Sequence, residues 1–66
     1  MTTEEPNLIP PTELLVIARR EVAMRERVYP RQIEAGKMKP AKAEHEIEGM
    51  RQICAILERL IKQADL

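Results

Sequence analysis

Between residues 43 and 64, Ala43, Ile47, Met50, Ile53, Cys54, Leu57, Leu60, Ile61 and Ala64 recur at steps of three and four. That spacing puts all nine on one face of an α-helix and does not fit the two-residue alternation of a half-buried strand. The opposite face carries His45, Glu48, Gln52, Arg59 and Lys62. Pro40 suits the first position of this helix, where its missing N–H costs nothing. Gly49 lies near the edge of the apolar face and weakens the helix by about 1 kcal/mol relative to Ala.

Upstream, Thr12 reads as an N-cap, followed by Glu13 in the first turn where the helix dipole favours an acid. A second helical pattern then runs to Ala35, and Gly36 is placed to end it. Pro30 interrupts this run, so the helix either kinks near Pro30 or breaks and restarts there. Ile33 stays on the face of Tyr29 and Val22, which favours the kink. Residues 36–39, GKMK, make the turn. Residues 1–11 contain Pro6, Pro10 and Pro11 and read as an extended N-terminal arm. Leu8 and Ile9 within it either dock on the body or stay loose. The chain thus divides into an arm, 1–11, and a helical hairpin, 12–66.

Two helices of about 25 residues joined by so short a turn lie antiparallel, each about 37 Å long. The fold class expected is all-α. Among 66 residues there is no Phe or Trp, and Tyr29 is the only aromatic, so the core is aliphatic. On the first helix Leu14, Leu15, Ile17, Ala18, Val22, Met24, Val28, Tyr29 and Ile33 cover about half of the helical wheel. One partner helix cannot cover that width. The expectation is a homodimer, most simply a four-helix bundle with two-fold symmetry.

Charges fall inside this arc. Glu21 and Arg25 are spaced i,i+4, in the favourable order for a pair, and Gln32 lies near them. Glu46 sits within the apolar face of the second helix. In a hairpin turning at Lys37 and Met38, residue numbers across the seam sum to about 75, which brings Arg25 within about one turn of Glu46. The pattern predicts a buried polar cluster in which Arg25 bridges Glu21 and Glu46, with the Tyr29 hydroxyl as a further partner. Its role would be to fix register. The alternative is that these side chains reach past the seam into water. Outside the arc, Arg20, Arg27 and Arg31 form a stripe bordered by Met24. These four are candidate partner-binding residues, weighed against plain solvation and local pairing with Glu34.

The composition excludes several function classes. Eleven basic and eleven acidic residues balance, against the positive charge that drives nucleic-acid binding. No apolar run approaches the roughly 20 residues of a membrane span. The N-terminus lacks a basic segment followed by an apolar run, so no signal peptide is expected. With one cysteine fitting a reducing compartment, the expected location is cytoplasmic. His45 and Glu48 are the one His-containing pair at metal-ligand spacing; with no further convergent ligands they read as a solvated face. Cys54 lies on the apolar face as a small hydrophobe. There is no Ser-His-Asp or Cys-His constellation and no phosphate loop. A non-enzyme without metal or cofactor is expected.

Residues 24–50 contain Met24-Arg25, Val28-Tyr29-Pro30-Arg31, a Gly36-Lys37-Met38 turn, then Lys42-Ala43-Glu44-His45-Glu46-Ile47 and Met50. This segment resembles a family of small temperate-phage helical-hairpin proteins that includes the Pseudomonas phage anti-quorum-sensing type. Gln32 stands where a Trp is common in that family, and Lys39-Pro40 replaces a Thr-led cap. The resemblance implies a dimeric hairpin in the host cytoplasm. It would bind the DNA-binding region of the LuxR-type activator LasR, and also a type IV pilus assembly ATPase. Alternatives are a DNA-binding or regulatory module, disfavoured by the neutral charge, and a structural or assembly dimer of the phage particle.

Overall fold

The computed structural model describes residues 8–64. Two helices account for nearly all of them: α1, Pro11–Glu34, and α2, Pro40–Ala64. They pack side by side as a hairpin, and the expectation of an all-α fold holds. Residues 1–7 of the arm lie outside the described residues.

The start of α1 differs from the sequence reading. Pro11, not Thr12, opens the helix, and Pro10 is the N-cap with ψ 148° and no side-chain cap bond. The reason is the Pro-Pro pair. A residue before proline is pushed to extended backbone, and a proline at the first helical position gives up only an N–H that would be unbonded anyway. The Pro10 carbonyl accepts from the N–H groups of Glu13 and Leu14, each at 3.0 Å. Thr12 therefore sits inside the first turn, and the boundary between arm and hairpin falls one residue earlier. Leu8, the more exposed of the two apolar arm residues at 84% exposure, does not dock on the helices.

The helix does not break at Pro30, which lies inside α1. The end of α1 follows the glycine. Gly36 has φ +72°, in the left-handed region. Its N–H donates to Ile33 O at 3.0 Å, and the Lys37 N–H donates to Gln32 O at 2.8 Å. These two bonds form a Schellman cap, which satisfies carbonyls that the helix end would otherwise strand. Pro40 begins α2 as expected, and the Lys39 carbonyl accepts from the Ala43 N–H at 3.1 Å.

The seam between the helices is narrow. Leu15, Ala18 and Cys54 form a small buried cluster, flanked by Val22, Met50, Leu57 and Ile61. Ala43 is buried separately. No described large side chain is fully buried. The Cα envelope is only 16 Å in its thinnest direction, a single layer of helices. Domains normally close a core between two packed layers. This hairpin has one layer, so each helix is covered on one side only.

Candidate functional site

The hairpin has two unlike faces, because the side chains on either side of the seam differ. Leu15, Val22 and Ile61 point along the seam. Turning one way around each helix leads to charged residues. Arg19 of α1 pairs with Glu58 of α2, and Glu26 of α1 pairs with Arg51 of α2. Arg51 also approaches Glu48 at 3.6 Å. The hydrogen bond to Glu26 raises the Arg51 pKa above its ordinary value. The residue numbers of both cross-helix pairs sum to 77, close to the register inferred from the turn. Sequence reasoning missed these pairs, although that register could have found them. They lie just outside the apolar arcs, where attention goes to helical surface rather than to seam.

Turning the other way leads to apolar side chains. Leu14, Ile17 and Ala18 of α1 and Met50, Ile53 and Leu57 of α2 line an open groove, with Glu21 at one end. Leu14, Ile17 and Ile53 are 37%, 40% and 46% exposed. Leu60, one heptad after Ile53, continues the strip and is also exposed. Residues of this kind normally lose water on folding, at about 25 cal/mol per Å² of apolar surface. Here Leu14, Ile17, Ile53 and Leu60 stay exposed.

At the turn-side end of the groove lies the Arg25 cluster. Arg25 Nε donates to Glu21 Oε1 at 2.9 Å, and Nη1 donates to the backbone carbonyl of Glu46 at 2.9 Å. The Glu46 carboxylate is at 3.8 Å from Nη1. The guanidinium stands 6.0 Å from the centroid of the Tyr29 ring. Arg25 thus joins the two helices, chiefly through a main-chain oxygen of α2 that the sequence reading did not invoke. Tyr29 contributes its ring face. The cluster is not buried: the side chains of Arg25, Glu21 and Glu46 are 21%, 37% and 42% exposed. The physical reason is the single-layer hairpin, which has no second layer to seal the seam edge. The hydrogen bond to Glu21 raises the Arg25 pKa, against a smaller opposing effect of desolvation.

Arg20, Arg27 and Arg31 lie exposed on the outer face of α1, and Met24 is half-buried. Among the described residues none of these three arginines forms an ion pair, so the local pairs with Glu34 do not form. His45 is exposed, and the described residues hold no group of three His, Cys, Asp or Glu side chains placed to bind a metal. Cys54 is a free, buried thiol in the seam. No described helix is long and apolar enough to cross a membrane.

Compared with protein-family models, curated proteins and solved structures, the chain matches none.

Proposed function

We propose that this chain is a non-enzymatic protein-interaction module that works as a homodimer in the cytoplasm of a host cell. Each copy supplies one antiparallel hairpin, and two hairpins make a four-helix bundle. The observation that carries this reading is the exposed apolar strip from Leu14 and Ile17 to Ile53 and Leu60. Such a strip on a soluble chain is a protein contact, because leaving it in water favours association. Helix α1 bends at Pro30, which has no N–H for the carbonyl of Glu26 and crowds that turn.

The resemblance of residues 24–50 to phage helical-hairpin proteins supports an inhibitory role. In this reading the dimer binds a host regulator, the DNA-binding region of a LuxR-type activator such as LasR, and also a type IV pilus assembly ATPase. The stripe of Arg20, Arg27 and Arg31, with Met24 beside it, offers guanidinium groups that are unpaired among the described residues to an acidic partner surface. The direct test titrates the purified dimer into an activator–promoter complex. Release of the DNA supports the reading. An activator that stays on its promoter at a large excess of the protein removes the proposed target.

A further inference from the structure

The two faces of the hairpin are chemically opposite, and only one suits a second copy. We infer that the homodimer forms through the groove face, centred on Ile17 and Ile53, and that the face laced by Arg19–Glu58 and Glu26–Arg51 stays turned to water. This assignment rests on the homodimer reading above and says which surface carries it.

Three observations support it. The first is area. A compact folded monomer of 7.6 kDa exposes about 4,300 Å². This chain exposes 5790 Å². The elongated shape accounts for part of the excess, but a standard interface removes only about 800 Å² from each partner. The surface that a dimer would cover is therefore already on display.

The second is charge. A two-fold contact places a patch against itself, so a patch of one sign repels its own copy. Between Met50 and Leu60 the groove side of α2 presents Met50, Ile53, Leu57 and Leu60, without a charge. On α1 the groove contains only Glu21, already held by Arg25 at 2.9 Å. Self-association on this side neither collides like charges nor strands one. The other side would have to bury Arg19, Glu58, Glu26 and Arg51, all about half-exposed now, at a large desolvation cost.

The third is position. The apolar residues occupy the open half of the hairpin, residues 14–21 and 50–60, while Arg25, His45 and Glu46 border the turn half. The two-fold axis therefore crosses near Ile17 and Ile53. The turns lie outside the contact.

The test is sedimentation velocity on the full chain with Ile53→Glu and, as control, Val16→Glu. Val16 is equally apolar and 59% exposed, but it projects from α1 away from the groove. Two glutamates in an apolar interface should raise the dimer dissociation constant by about a hundredfold or more. Val16→Glu should leave it unchanged, and circular dichroism should show both variants helical. If Ile53→Glu loses its helices, Ile17→Lys on the other helix is read in its place. A wild-type dimer that survives both groove substitutions overturns the face assignment while leaving the dimer standing. Loss of the dimer in Val16→Glu alone also overturns it. A wild-type monomer overturns both.

Discussion

Replacing Arg25 by alanine tests whether the cluster at the seam edge holds the helices in register. The substitution removes two hydrogen bonds of 2.9 Å, one to Glu21 and one to the Glu46 carbonyl. It also removes the cation over the Tyr29 ring. Buried, charge-assisted hydrogen bonds contribute about 1.5–3 kcal/mol each. With 21% of the arginine side chain and 37% of the Glu21 side chain exposed, water competes for both partners, and about 0.5–1 kcal/mol each is the better figure. The ring contact adds about 0.5 kcal/mol at so open a site. The expected loss is about 2 kcal/mol. For a domain this small, 1 kcal/mol moves Tm by about 4–8 °C, so melting followed by circular dichroism should shift downward by about 8–16 °C. Arg25→Met keeps the aliphatic stem over the seam and should recover part of that loss. An Arg25→Ala protein melting within about 2 °C of wild type, a shift worth under 0.5 kcal/mol, would refute the reasoning.

Other consequences are as direct. Gly36→Ala forces a Cβ into the left-handed region at φ +72° and should destabilise by about 1 kcal/mol, read from urea unfolding. Gly49→Ala meets no atom within 4 Å and should stabilise α2 by up to about 1 kcal/mol in the same assay. Cys54 is buried in the seam, so a thiol reagent should label it slowly in the native protein and at once in urea. The raised pKa of Arg25 fixes a pH dependence. Stability from a raised pKa is fully present below the unfolded value and is lost only as pH climbs through the folded one, here above the ordinary arginine range. The Tm gap between wild type and Arg25→Ala should thus be equal at about pH 7 and pH 9; a gap that closes at the higher pH contradicts the assignment.

Much of the hairpin is legible in the sequence because local chemistry and long-range pattern agree. The three-and-four spacing from Ala43 to Ala64, Pro40 at a helix start and Gly36 at a helix end all act within one or two turns of chain. The start of α1 is not legible from cap type: Thr12 is a good cap, while the stiffer constraint comes from Pro10-Pro11. The Arg25–Glu21 pair follows from i,i+4 spacing alone. Its anchor on α2 does not, because a backbone carbonyl leaves no mark in sequence. The degree of burial was also hidden: an apolar arc tells how much surface seeks cover, not whether one chain can supply it. The ion pairs Arg19–Glu58 and Glu26–Arg51 lie within reach of the register the turn implies, but just outside the apolar arcs, where charged residues look like plain helical surface.

The claim beneath all of this is that a single-layer hairpin cannot cover its own apolar surface and so works as two copies. Light scattering on the 66-residue chain, across a range of micromolar concentrations, addresses it without any substitution. The expected molar mass is twice the 7.6 kDa of one chain. A well-folded helical species holding the mass of one chain throughout that range would contradict it.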